Sequence, residues 1–276
     1  MISEPEWKKF IEGLRVEGRA SQEELKEAIV NSIKKKIPKE KFGIMFSGGI
    51  DSTFISFICK QMNADFTCYA VGVEDAADIK WADKVADELG FKLRMRILSL
   101  DEAEEIVKRV TLLFNETDAV KISIACVFYA AMEMAKENGI KQMFSGLGSE
   151  EIFAGYERHK TGDINEECWK GLLSMYKRDL LRDWKIADEF GMSVLTPFLD
   201  ADVIKLGMQF PAEEKVSDEF KKIILRKIAE DIGIPKEIAW RKKKAAQYGS
   251  RFDKAIQKLA KRKGFKLKKD YLGSLL

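Results

Sequence analysis

A six-residue segment, SGGIDS at residues 47–52, restricts the fold more than any other part of the sequence. It follows the short apolar run FGIMF at 42–46, which has the length of a buried strand, and it precedes helical periodicity from Thr53 to Met62. Its glycines let the backbone approach an anion, while helix-start N–H groups and serine hydroxyls supply donors for that anion. A strand, a glycine turn and a helix form the repeating unit of a parallel sheet.

Similar units recur along the first half of the chain and predict an α/β fold, with a parallel sheet flanked by helices. Further strands are predicted at 65–73, 91–98 and 141–145, and helices within 4–36, from Asp78 to Leu89, from about Asp101, and over 121–138. From about residue 150 onward the pattern is helical, with almost no strand signal. The second half of the chain is therefore predicted to be mostly helical.

These changes of pattern predict the organisation of the chain. An N-terminal helical segment at 1–40 precedes one domain at 41–276, which has an α/β core at about 41–149 and a helical part at about 150–276. No flexible linker separates core and helical part. We therefore expect the functional site between them, at the carboxyl ends of the strands.

Composition argues against several classes of protein. The 276 residues include 48 Lys and Arg against 45 Asp and Glu, and 46% are hydrophobic, which is ordinary for a chain with a buried core. No apolar run is long enough to span a membrane and the start lacks a signal-peptide pattern, so we expect a soluble cytoplasmic protein without a membrane partner. The four cysteines form no CxxC pair and there is one histidine, which argues against a zinc site.

Asp51 gives the glycine-rich segment its chemical character. The segment lacks the lysine of a Walker A loop and the spacing of a dinucleotide-binding loop. A carboxylate inside an anion cradle requires a shared cation, which indicates Mg²⁺ on the pyrophosphate of ATP. The alternative is a tight turn in which Asp51 only caps the following helix.

The segment resembles the pyrophosphate loop of the ATP pyrophosphatases, also called adenine nucleotide alpha-hydrolase-like proteins. Four further stretches are similar to segments of asparagine synthetases and occur in the same order: SGLGSEEIFAGYERHK at 145–160, TPFLD at 196–200, KKIILR at 221–226 and IAWRKKKAAQYG at 238–249. The resemblance covers about residues 40–260. It is a resemblance to the synthetase domain of the asparagine synthetase family.

This resemblance implies an AMP- and pyrophosphate-forming amide ligase that uses ATP and Mg²⁺. A small-molecule carboxylate, aspartate in that family, attacks the α-phosphorus of ATP, and an amine then displaces AMP from the acyl-adenylate. Catalysis of this kind depends on positioning and on neutralising the charge of pyrophosphate.

The resemblance also implies roles for individual residues. Nucleotide binding falls to Phe46, Ser47, Gly48, Gly49, Asp51, Ser52, Val71, Ser145, Gly146 and Lys222, of which Phe46 and Val71 line the adenosine site. Asp51 and Glu150 would bind Mg²⁺. Asp51 and Lys243 would be catalytic, and Lys243 would stabilise the charge that develops during adenylation. Arg226 joins Lys222 in a second basic patch, whereas Pro197 and Asp200 are expected to be structural.

Three positions depart from the family pattern. Leu147 stands where asparagine synthetases carry a glutamate, and a leucine neither accepts nor donates a proton. Either the nucleophile needs no base, another group supplies the base, or the acceptor differs. Glu150 replaces an aspartate and Ala154 a glycine, both milder changes.

The nitrogen donor and the partners stay open at this point. Glutamine-dependent asparagine synthetases begin with a cysteine after Met1, where this chain has Ile2. We therefore expect free ammonia, a separate partner glutaminase or a different amine. Two alternatives remain: another acceptor, such as a second carboxylate or a tRNA base contacted by the basic segment 258–269, or a non-catalytic ATP-binding regulator. The N-terminal helices could also form a homodimer contact.

Overall fold

The computed structural model describes residues 2–160, 162–242 and 245–276, apart from the side chain of residue 160. Its centre is a five-stranded sheet in the order β3-β2-β1-β4-β5, and all neighbouring strands are parallel. The strands are β1 (Phe42–Met45), β2 (Phe66–Val73), β3 (Leu93–Leu98), β4 (Gln142–Phe144) and β5 (Ser193–Leu195). The predicted α/β fold with a parallel sheet is therefore confirmed.

Helices flank both faces of the sheet and make up most of the second half. Before β4 they are α1 (Glu4–Glu12), α2 (Gln22–Lys36), α3 (Ile50–Gln61), α4 (Ala77–Leu89), α5 (Leu100–Phe114) and α6 (Ala119–Glu137). After β4 they are α7 (Ser149–Ile152), α8 (Ile164–Met175), α9 (Leu181–Glu189), α10 (Ala201–Met208), α11 (Ala212–Lys215), α12 (Ile223–Asp231), α13 (Lys236–Ala239), α14 (Ala246–Gly249), α15 (Phe252–Arg262) and α16 (Lys268–Gly273). Short 3₁₀ turns cover Glu157–Lys160 and Pro197–Leu199, and a π-helical turn covers Tyr176–Leu180.

Strand order places a crevice beside β1. The chain passes from β1 outward to β2 and β3, and then returns through α5 and α6 to β4 on the other side of β1. In open parallel sheets, ligands bind where the strand order reverses in this way, beyond the carboxyl ends of the two strands. The segments that follow β1 and β4 therefore face each other across this crevice.

One strand was missed by the sequence pattern. Almost no strand signal was expected after residue 150, but β5 pairs with β4, with Phe144 opposite Leu195. Three residues are too few to show an alternating pattern, and this short edge strand exists because β4 offers hydrogen-bonding partners. The sequence pattern did not predict β5, but the region is mostly helical, as expected.

Local signals for helix ends are reproduced by the structure. Ser21 and Glu24 form the predicted capping box at the start of α2: each backbone N–H donates to the side chain of the other residue. Gly90 ends α4 with a left-handed φ of 62°, the conformation for which a helix C-cap favours glycine.

The N-terminal helices pack against the rest of the protein. The indole Nε1 of Trp7 in α1 donates to the carbonyl of Leu172 at 2.8 Å, and Ser32 Oγ in α2 donates to the carbonyl of Pro197 at 2.7 Å. Both acceptors belong to the helical second half. The division of the chain at residues 40 and 149 stays a prediction.

Two expectations from composition concern the whole chain. Among the described residues, no helix has both the length and the apolar character needed to cross a bilayer. The four cysteines are buried and unpaired, and the described residues contain no group of three His, Cys, Asp or Glu side chains that could hold a metal.

Lys215 is a fully buried lysine at the end of α11. Its Nζ donates to Asn165 Oδ1 at 2.9 Å. Burial, opposed by the neighbouring Cys168, lowers the pKa of Lys215 to about 8 from 10.5. Between these two pH values the unfolded chain binds more protons than the folded chain, so the free energy of unfolding rises with pH over this interval.

We therefore expect Lys215→Met to remove that rise. Urea denaturation of wild type and variant across pH 8 to 10.5 measures it. The free energy of unfolding of the variant minus that of wild type should fall as the pH increases. Lys227→Met, at an exposed position of α12, should keep the wild-type slope. A pH-independent difference between wild type and Lys215→Met would contradict the prediction.

Candidate functional site

The glycine loop, defined here as residues 47–52, connects β1 to α3. Its turn depends on Gly48, whose φ of +62° favours glycine, and Gly49 is the N-cap residue of α3. The Ser52 hydroxyl accepts from the Ser47 N–H at 3.3 Å and donates to the carbonyl of Gly49 at 3.2 Å. The loop therefore closes on itself, with the N–H groups of the first turn of α3 available for an anion.

A second loop follows β4 and touches the glycine loop. A Cβ atom added to Gly146 would lie 2.8 Å from Asp51 Cβ, so the two loops are in contact only because residue 146 is glycine. The backbone N–H of Ser145 donates to the carbonyl of Leu195 at 2.9 Å. The end of β5 therefore holds this second loop in place.

Lys222 joins the two acidic residues predicted to bind metal. Its Nζ lies 2.7 Å from Asp51 Oδ2 and 2.7 Å from Glu150 Oε1, and it donates to Ser149 Oγ at 3.0 Å. The lysine is almost fully buried and occupies the N-cap of α12 with a left-handed φ of 58°. The structure thus brings together Asp51, Glu150 and Lys222 from three separated parts of the chain.

The charges at this point favour a cation. Burial alone would lower the pKa of Lys222, but Asp51 and Glu150 together outweigh burial, so its pKa is raised. The carboxylate side chains keep 23% and 40% of their surface exposed, against 5% for the lysine. Two carboxylates that converge on one cationic atom and remain open to solvent suit Mg²⁺, which binds oxygen ligands and retains waters.

Space around this cluster is limited by the segment that follows α7. Any Cβ on Gly155 would collide with the Glu150 carboxylate, so this position requires glycine. Ala154 has a φ of +55°, a left-handed conformation that costs a non-glycine residue about 1–2 kcal/mol. Ala154 therefore carries local backbone strain that a glycine would not.

The two residues predicted to line an adenosine site lie at the ends of neighbouring strands. Phe46 follows β1 and packs edge-on against Phe91, with ring centroids 5.8 Å apart. Val71 in β2 is also buried, but it belongs to a different hydrophobic cluster. Their side chains pack into the core, so an adenosine contact would involve the backbone or the ring edge.

The predicted basic residues are in different surroundings. Arg226 donates to the carbonyls of Lys221 and Arg241, at 2.7 and 3.1 Å. Its guanidinium therefore binds backbone carbonyls and not the acidic pair of Asp51 and Glu150. Lys243 lies outside the described residues, and its role stays a prediction. Asp200 caps α10 through the Asp202 N–H, as expected of a structural residue.

Sequence reasoning missed the residues that support the glycine loop from outside. Trp81 in α4 donates its indole N–H to the carbonyl of Gly48 at 2.9 Å. The guanidinium of Arg241 lies 4.7 Å above the Trp81 ring, and its Nη2 is 3.2 Å from Asp78 Oδ1. The spacing of Asp78 and Trp81 in one helix was a weak signal, because an apolar helix face gives the same pattern.

A second missed group supports Glu150 from behind. The neighbouring Glu151 is fully buried, where it accepts a hydrogen bond from the Tyr156 hydroxyl at 2.8 Å and pairs with Arg178. Burial, opposed by Arg178, raises the pKa of Glu151. Arg178 reaches this position from the π-helical turn between α8 and α9, and its Nε pairs with Asp179 at 2.7 Å.

Comparison with known proteins gives consistent matches. The sequence profile of the asparagine synthase family matches residues 24–172 and 160–272. A Methanocaldococcus jannaschii protein whose name describes a glutamine-hydrolyzing asparagine synthetase is 34% identical, over 90% of this chain and 53% of that protein. Asparagine synthetase B of Escherichia coli is 28% identical, over 80% of this chain and 43% of that protein. The nodule asparagine synthetase of Pisum sativum is 30% identical, over 76% of this chain and 40% of that protein. The chain spans about half the length of these relatives.

Lys222→Met tests whether the ammonium holds the cluster together. Without it, Asp51 and Glu150 repel each other, and the free energy of unfolding should fall by about 1–3 kcal/mol. Lys242→Met removes the exposed pair with Glu219, at 3.2 Å, and should change stability little. Urea denaturation compares the variants, and equal losses would contradict a special role for Lys222.

Proposed function

The chain belongs to the asparagine synthetase family, and from this we propose that it is an ATP-dependent amide ligase that forms AMP and pyrophosphate. The carboxylate substrate that we propose is aspartate, and the nitrogen donor is ammonia. The observation that supports this proposal most strongly is the meeting of the glycine loop with Asp51, Glu150 and Lys222 at the crevice between β1 and β4.

The crevice offers separate places for the parts of ATP. Anion-binding N–H groups at the start of α3 suit the pyrophosphate portion, and Ser145 and Gly146 after β4 would contact the nucleotide through their backbone. The ring edge of Phe46 and the backbone of Val71 would border the adenosine, since both side chains are buried. With ATP bound in this way, the α-phosphorus would lie near both loops, where a carboxylate oxygen of the substrate would approach it.

The proposed reaction has two steps. A carboxylate oxygen of the substrate bonds to the α-phosphorus as the bond to the bridging oxygen breaks, which releases pyrophosphate. Ammonia then attacks the acyl carbon, AMP leaves with its oxygen, and a proton is lost from nitrogen. The chain's contribution is to position these groups and neutralise the charge on the leaving pyrophosphate.

Three side chains would neutralise the negative charge of the pyrophosphate, two through a bound cation and one directly. Asp51 and Glu150 would hold Mg²⁺, which when bound neutralises pyrophosphate oxygens. Lys222 lies between them and would place a point charge beside the phosphates. We keep Lys243 as the lysine that stabilises charge in the adenylation step.

Leu147 favours a second candidate, adenylation of a different acceptor. Its side chain is half-buried and packs against the core, so the position offers no proton-transfer group. Another carboxylate would use the same nucleotide chemistry. A tRNA base is less supported, because the basic C-terminal segment already pairs Arg262 with Asp101 at 2.6 Å and Lys268 with Asp253 at 2.5 Å.

The nitrogen source that we propose is free ammonia or ammonia from a separate glutaminase. We propose the cytoplasm as the compartment, since four buried unpaired cysteines suit a reducing environment. A homodimer through the N-terminal helices remains a proposal.

The decisive experiment is product analysis of Mg-ATP with aspartate and ammonium. AMP, pyrophosphate and asparagine should appear in equal amounts. Asp51→Asn should abolish AMP formation, because it removes the proposed cation ligand, and should still fold, because Lys222 keeps Glu150 and Ser149 as partners. Asp75→Asn, at an exposed carboxylate that pairs with Arg251, serves as the control. Normal turnover by Asp51→Asn would refute the metal assignment.

Leu147→Glu tests the acceptor. If the missing base limits the reaction with aspartate, this variant should raise the rate of asparagine formation above wild type, by an amount typical of general base catalysis, up to about 10²-fold. Leu147→Gln has a similar size without a base and should give no increase. An unchanged or lower rate in Leu147→Glu would indicate that the pocket serves another acceptor.

A further inference from the structure

The orientation of one peptide bond decides whether the glycine loop attracts or repels an anion. In a trans peptide the C=O and N–H groups point in opposite directions, and the bond between Gly48 and Gly49 is trans. The Gly48 carbonyl accepts a hydrogen bond from Trp81 Nε1 at 2.9 Å and is therefore directed at α4. The Gly49 N–H consequently points back into the loop, where it donates a long hydrogen bond to Ser47 Oγ at 3.4 Å.

Two adjacent glycines make this peptide easy to rotate. A rotation changes ψ of Gly48 and φ of Gly49, and neither residue has a Cβ atom that would oppose it. The rotated peptide would direct its carbonyl oxygen, with its partial negative charge, toward the place of the pyrophosphate. Within the loop, the long bond from the Gly49 N–H to Ser47 Oγ at 3.4 Å opposes this rotation weakly, so a contact from outside the loop adds to the restraint.

We propose that Trp81 is a positioning residue that holds the peptide between Gly48 and Gly49 in its anion-binding orientation. This inference rests on the proposed function, because it assumes that pyrophosphate binds at the glycine loop. Trp81 contacts the loop closely: a Cβ atom on Gly48 would lie 2.7 Å from Trp81 Cδ1. The indole therefore fixes both the position and the hydrogen bonding of this peptide.

Arg241 and Asp78 fix the indole in turn. The Arg241 guanidinium lies 4.7 Å over the ring, and its Nη2 is held 3.2 Å from Asp78 Oδ1. Asp78 is itself buried against the backbone of Gly249, and the Arg241 carbonyl accepts from Arg226. The restraint on the loop is thus anchored in packed parts of the protein.

Trp81→Phe removes the indole N–H and keeps an aromatic ring. Isothermal titration calorimetry with Mg-pyrophosphate and, separately, adenosine should show pyrophosphate affinity about 5- to 10-fold weaker, the equivalent of one hydrogen bond, with adenosine affinity unchanged. Trp7→Phe is the matched control, because it loses an indole-to-carbonyl bond of 2.8 Å far from the loop. Trp7→Phe should keep wild-type affinity for both ligands.

The outcomes separate this inference from the proposed function. Unchanged pyrophosphate affinity in Trp81→Phe, or an equal loss for pyrophosphate and adenosine, overturns the role of Trp81 while the function stands. A wild-type protein that binds neither pyrophosphate nor ATP overturns the proposed function and this inference with it.

A second variant keeps the test available if Trp81→Phe does not fold. Asp78→Asn removes the charge that holds Arg241 over the indole, with almost no change in shape. Electrostatics alone would strengthen pyrophosphate binding when a carboxylate is lost near the loop. Loosening of the indole should weaken binding instead, so weaker binding supports the proposal and equal or stronger binding overturns it.

Discussion

The architecture of the site depends on one ammonium group. Asp51 follows β1, Glu150 follows β4, and Lys222 begins α12 in the helical second half, so contacts at a single nitrogen atom join three regions distant in sequence. The two carboxylates would repel each other without a cation between them. The same contacts therefore hold the acidic pair together and dock the helical part against the sheet.

The sequence predicts those parts of the site that are encoded locally. The glycine loop and the cap at Ser21 depend on residues a few positions apart, and the structure has both where the pattern places them, although α3 begins at Ile50, three residues before the predicted start. β5 was not predictable in this way, because three residues carry no period and its partner, β4, lies about 50 residues earlier. The role of Trp81 also depends on a fold that brings α4 onto the loop.

The family resemblance and the structure agree on where the basic residues lie, but they differ on what these residues contact. The resemblance selected Lys222 and Arg226 together as one basic patch, but the structure directs Lys222 to the acidic pair and Arg226 to backbone carbonyls. Arg226 lies four positions after Lys222, in the first turns of α12. The left-handed N-cap conformation of Lys222 nevertheless directs its side chain to the acidic pair. Spacing along a sequence identifies such residues without revealing which group each one contacts.

The π-helical turn between α8 and α9 makes the length of this helical segment part of the geometry around Glu150. Its i→i+5 hydrogen bonds enclose one residue more than the turn of an α-helix does, and Arg178 within it pairs with Glu151, beside Glu150. Deleting a single residue here would restore a regular helix and rotate everything beyond it by roughly 100° about the axis. Relatives with the same turn should therefore tolerate substitutions in this segment far better than changes in its length.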